Sequence, residues 1–279
     1  MKTIILLSML ISAITCNVVK TESNDAASTL EKNRFLTRMP FVTFVSTTID
    51  KHPYQASIQY SGRHICSGAI ISSLYILTTA QCVDRRSLDL LSVRVGATEY
   101  NRGGQTVSVS SIDINPDYNA RTFDYDISIL KLAKSLAFSP TIKLIDMIAA
   151  GEDVNPLTEV IAIGWNSATQ DDINSNKLVI VSEKECRRLY GLNAIMPNMI
   201  CAGGGTDGVS GGEDTCLIEP GTTLIMEKAT TDSAGVTSVK PVLIGLASWG
   251  YGCSRSQYPF VYTSISSNRE FIRKTIPAF

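Results

Sequence analysis

The feature that most constrains this chain is its rhythm. From Tyr54 onward, short stretches of alternating apolar and polar residues follow one another, each closed by a few turn-forming residues. Tyr54 to Tyr60, Tyr75 to Thr79, Leu91 to Val95, Thr106 to Ile114, Ile127 to Leu132 and Val160 to Trp165 all show a two-residue period. Side chains of a strand alternate between its two faces, so many short strands of this kind bury an apolar face by closing into a barrel or sandwich. Only two stretches invite a helix. In Ser182 to Tyr190, Ser182 can cap and Glu185 follows three residues later; the other is Ser267 to Ile276 near the end. The expected class is all-β with a C-terminal helix, and 279 residues, 44% of them hydrophobic, suffice for a full core. Gly203 to Glu213 and Glu227 to Pro241 read as long polar loops, a length at which loops often carry binding.

The ends and the charges limit where the protein works. Met1-Lys2-Thr3 and the apolar run Ile4 to Ile14 have the makeup of a signal peptide, assigned here to residues 1–16, with possible cuts after Ala13, Thr15 or Cys16. That run falls short of the roughly 20 apolar residues that cross a bilayer, so a secreted, extracellular protein without a membrane partner is expected. Residues 17–40 are polar and aperiodic, a leader or pro-segment ahead of a folded body over 41–279. Lys plus Arg total 25 against 26 Asp plus Glu, with no basic run to neutralise a row of phosphates, so nucleic acid is not an expected partner. Six cysteines follow the leader: Cys66, Cys82, Cys186, Cys201, Cys216 and Cys253. An even number in an exported chain reads as disulfides, with the pairing left open by spacing. No CxxC pair occurs and neither histidine lies near a cysteine cluster, so no metal or other cofactor is called for.

Seven segments together resemble the chymotrypsin/trypsin-like serine proteases. They are PYQASIQ from Pro53, HICSGAIIS from His64, YILTTAQC ending at Cys82, DISILKL from Asp126, AIGW from Ala162, MPNMICAG from Met196 and ASWGYGC from Ala247, in order across Phe41 to Ile276. The resemblance implies two packed six-stranded Greek-key β-barrels with a C-terminal α-helix. It also implies the disulfides Cys66–Cys82, Cys186–Cys201 and Cys216–Cys253.

Function has to be read from the site, because a fold hosts many functions. Hydrolysis on this plan needs a nucleophile, a base, a group orienting the base, and oxyanion donors. By resemblance the base belongs at Gln81, the orienting acid at Asp126 and the nucleophile at Pro220. An amide accepts no proton at usable pH, and proline has neither a nucleophile nor a backbone N–H to donate. Ile218 takes the place of the oxyanion glycine. Thr215, Thr222 and Thr223 have no neighbouring base or lysine to activate them. Asp126 is then expected to accept a hydrogen bond from the Gln81 amide, and His64 to be an ordinary structural residue. The specificity pocket corresponds to Asp214, Ser248, Gly250 and Phe260, the last expected to fill it in place of a glycine. Phe41 aligns with the N-terminus that activation frees, Glu219 stands where an aspartate pairs with that amine, and residues 99–105 lack the oxygen ligands of the family's calcium loop.

Read this way, the chain is not an enzyme but a monomeric serine-protease homologue that binds other proteins. The pattern is similar to the inactivated serine-protease paralogues of the scabies mite, relatives of the group 3 mite allergens. That similarity implies host extracellular proteins, complement components among them, as partners. A residual trypsin-like hydrolase and a cofactor-like homologue in an arthropod protease cascade are the alternatives.

Overall fold

A computed structural model describes residues 45–165, 171–204, 207–208, 218–231, 235, 237–251 and 258–276. The signal peptide and leader assigned to 1–16 and 17–40 lie outside them, as do Asp214, Thr215, Cys216, Cys253 and most of 203–213. The described residues fall in one compact unit, Val42–Phe279.

The first half closes on itself. Strands β2 (Gln55–Tyr60), β3 (Arg63–Ile70), β4 (Tyr75–Thr78), β5 (Leu91–Val95), β6 (Gln105–Ile114) and β7 (Ser128–Leu132) form an antiparallel barrel in the order β2-β3-β4-β7-β6-β5. Alternation places Ala56, Ile58, Ile70, Ile76, Leu91, Val93, Val95 and Leu130 inside, all but sealed from solvent. Each such aliphatic side chain contributes about 1.5–3 kcal/mol on burial. The Cys66–Cys82 disulfide crosses this half.

The second half is built from β9 (Glu159–Trp165), β10 (Ile173–Val181), β11 (Met199–Gly203), β12 (Thr223–Thr231), β13 (Thr237–Trp249) and β14 (Phe260–Ser264). Because β9 pairs with both β10 and β12, the run β9-β10-β11-β14-β13-β12 returns to its start. Two short strands extend this sheet to eight. β1 (Val45–Ser46) pairs with β10, and β8 (Asp146–Met147) pairs in parallel with β13.

Helix α1 (Glu183–Tyr190) starts at the cap Ser182, whose Oγ accepts from Glu185 N at 3.2 Å, and Cys186 on it is bonded to Cys201 on β11. Helix α2 (Ile265–Thr275) starts two residues earlier than the sequence pattern indicates, because Ser264 Oγ accepts from Ser267 N at 3.3 Å.

Glu227–Thr231 and Thr237–Pro241, read as parts of one loop, are strand. They extend β12 and β13 into a two-stranded ribbon, paired from Glu227↔Pro241 out to Thr231↔Thr237, with Thr230 Oγ1 and Ser238 Oγ, and Thr231 Oγ1 and Thr237 Oγ1, bridging the strands at 3.3 and 3.0 Å. Polar composition suggested a loop; cross-strand threonine and serine pairing makes a strand of it.

The halves share one core. Tyr54, Ala69, Leu77, Ile127 and Ile129 from the barrel pack with Ile163, Trp165, Leu224, Leu246 and Tyr262 from the second sheet. Gln55 Nε2 also donates to Thr223 Oγ1 across the join. The candidate site lies along this seam.

Candidate functional site

Gln81 sits in a single 3-10 turn, Ala80–Cys82, directly after β4, and the disulfide at Cys82 ties that turn back to β3. Asp126 immediately precedes Ile127 and β7, after two non-glycine residues with positive φ, Phe123 (55°) and Tyr125 (49°). Backbone of that kind is held only where its surroundings over-determine it. Ser248 comes from β13 of the other half.

The three meet around one carboxylate. Asp126 is fully buried and accepts from Gln81 N at 2.8 Å, Gln81 Nε2 at 2.5 Å and Ser248 Oγ at 2.6 Å. Gln81 Nε2 also reaches Ser248 O at 2.9 Å. Burial pushes the Asp126 carboxyl above the ordinary range, while bonds from Ser248 and Gln81 pull the other way. No histidine ring touches Asp126: His52 bonds to Tyr54 Oη at 3.2 Å, and His64 is engaged elsewhere.

A second buried cluster lies nearby. His64 on β3, its side chain 1% exposed, shares Nδ1 with Ser57 Oγ at 2.8 Å and places Nε2 at 2.9 Å from both oxygens of Glu219. Ser67 Oγ donates to the same carboxylate at 2.6 Å and Trp165 N at 3.2 Å. Tyr100 stacks on the imidazole at 5.0 Å between centroids, and Trp165 meets it edge-on. His64 is thus the partner of Glu219, a pairing that the sequence did not announce across 155 residues.

Pro220 follows Glu219 in a turn in which Thr222 N donates to Glu219 O at 3.2 Å and Pro220 O accepts from Ser67 N at 3.1 Å. Ile218 packs against the shared core. Gly221 takes a positive φ (81°), and a Cβ there would stand 1.9 Å from Ser67 O, so only glycine fits.

Phe260, 6% exposed, packs edge-on to Tyr262 at 5.7 Å and lies so close over Gly250 that a Cβ there would meet its ring at 2.7 Å. Beside Gly250, Tyr190 contacts Trp249, Tyr251 and Tyr258 at 4.9–5.1 Å between centroids, an aromatic group that no motif had singled out. Asp214, the remaining pocket position, lies outside the described residues.

Two β halves sharing one core, a C-terminal helix, and a buried acid at the seam define a two-barrel β protein of the trypsin-like class. Residues 41–272 match the sequence model of the family described as Trypsin, and the chain belongs to that family. Among its relatives, trypsin delta of Drosophila erecta is 35% identical over 233 residues, covering 81% of this chain and 85% of the relative. Trypsin alpha of Drosophila melanogaster is 35% identical over 236 residues (82% and 85%). The vitellin-degrading protease of Bombyx mori is 32% identical over 234 residues, 82% of each.

These comparisons correct the expectation that the chain is not an enzyme. The relatives are named trypsins and proteases, and they point to a protease. The expectation rested on the residues at Gln81, Ile218 and Pro220, whereas the match to the family extends over residues 41–272.

Proposed function

We propose that this trypsin-family chain is secreted and recognises extracellular proteins of a host, complement components among them, by binding polypeptide at its surface. The observation that carries the reading is the Asp126 site, where Gln81 and Ser248 supply three short hydrogen bonds to a buried carboxylate. With an amide rather than an imidazole on that acid, polypeptide recognition is assigned to surfaces outside the Gln81–Asp126 pair. Export is supported by the signal-like residues 1–16, by the Cys66–Cys82 and Cys186–Cys201 disulfides, which suit an oxidising compartment, and by the usual secretion of trypsin-like proteases. No helix among the described residues is long and apolar enough to span a membrane.

A second reading, favoured by the names of the relatives, is peptide-bond hydrolysis after basic residues, drawing on a base other than an imidazole held by Asp126. One experiment separates the two: incubate the purified chain with host plasma and, in parallel, with arginine and lysine ester substrates. Retention of specific plasma proteins supports binding, with or without substrate turnover. Turnover that survives repurification and responds to substitution in this chain, without retention, supports hydrolysis and overturns the first reading.

A further inference from the structure

The geometry points to a docking site for an extended, basic polypeptide segment at the root of the β12–β13 ribbon, away from the Asp126 site. It rests on the protein-binding reading above and names the chemistry of the segment bound.

β9 and β12 pair only at Ile161↔Ile225, Ala162↔Leu224 and Ile163↔Thr223. If the ladder ran on, Met226 and Glu227 would face Val160 and Glu159; instead it stops. At that place a cleft of about 340 Å³ opens, lined by Glu159, Val160, Ile161, Lys177 and Glu227. Beyond it β12 continues to Thr231 with, among the described residues, only β13 paired to it, so alternate residues of Met226–Thr231 turn backbone N–H and C=O groups to an edge on which no described strand lies. Such an edge is a template for strand addition.

The ribbon is poorly supported by itself. Two strands alone are marginal in water, Pro241 can donate no ladder bond, and Lys228 lies opposite Lys240, a like-charge pair. Lys228 is relieved on one side by Glu152 at 2.5 Å. A third strand would complete the outer ladder.

Charge selects the occupant. Glu159, Glu227 and Lys177 are exposed, and none forms an ion pair with a described residue. Two carboxylates against one ammonium leave the cleft negative, and a lysine or arginine from the incoming strand would balance it. Val160 and Ile161 supply an apolar floor for the stem of such a side chain.

The test uses the full chain and a labelled nine-residue peptide of alternating threonine and valine with a central lysine, beside its glutamate counterpart, titrated to millimolar concentration. The lysine peptide should bind about tenfold tighter than the glutamate one, and Glu159→Gln with Glu227→Gln should remove that preference. Amide exchange of the natural protein should slow at 226–231 on binding, a readout that needs no substitution. Absence of binding, equal affinity for the two peptides, or protection elsewhere would overturn the proposal. If the peptide fails while plasma proteins are still retained, only this site falls. If the peptide binds and nothing is retained from plasma, the broader reading falls instead.

Discussion

Replacing Gln81 with leucine, similar in size, removes one donor group and little volume. The lost Nε2 is the one 2.5 Å from Asp126 and 2.9 Å from Ser248 O, while Gln81 N and Ser248 Oγ stay on the carboxylate. A hydrogen bond to a charged group is worth about 1.5–3 kcal/mol, so a loss of roughly 2–3 kcal/mol is expected at pH 7. In a body of this size each kcal/mol moves Tm by about 2–4 °C, giving a drop of roughly 4–12 °C. The pH dependence identifies the cause. Burial holds the folded Asp126 carboxyl above 3.8, so above that pH the native state keeps a proton that the unfolded chain releases, and this group's contribution falls as pH rises. Removing a donor to the charged form pushes the carboxyl further up. The deficit should therefore be small at pH 4 and complete at pH 8, and Asp126→Asn added to Gln81→Leu should recover most of it. Thermal melts of the natural and both substituted chains across pH 4–8 measure this. A deficit below about 0.5 kcal/mol, or one independent of pH, would refute the account.

Other expectations follow from the neighbouring geometry. His64→Ala leaves Glu219, among the described residues, with only Ser67 and Trp165 N and should cost about 3 kcal/mol in urea unfolding, whereas Ser57→Ala, at the outer end of the same chain of bonds, should cost under about half of that. Gly221→Ala should prevent accumulation of folded protein, because the added carbon would collide with Ser67 O at a positive φ; normal secretion and melting of that variant would show the turn to be adaptable. His52 is lowered from 6.5 to about 4 by burial, so the unfolded chain binds the extra proton first and stability should fall on acidification between those values. His52→Gln should flatten that limb of a pH titration of Tm.

Much of the fold was legible along the chain because its signals are local. The two-residue period located β2, β4, β5, β6, β7 and β9 to within a residue or so at each end, and the Ser182 and Glu185 pair located α1. The 227–241 segment was missed for the same reason, since its strand character comes from Thr230 and Thr231 meeting Ser238 and Thr237, partners supplied only when the chain doubles back.

At the site, the bond from the Gln81 amide to Asp126 was readable by resemblance, and the structure has it at 2.5 Å. The rest of the company was not readable: the arrival of Ser248 on the same carboxylate from the opposite half depends on how β4, β7 and β13 converge. His64 belonged to a family-like segment and Glu219 to another, and nothing local joins them; folding removes both from water and makes each the other's answer to desolvation. By itself the sequence determined strand period, caps, turn glycines and the available chemical groups, because these act within a few residues. Only the tertiary structure decided which buried charge met which donor, and where β12 parts from β9, because those follow from segments more than 40 residues apart being packed into one core.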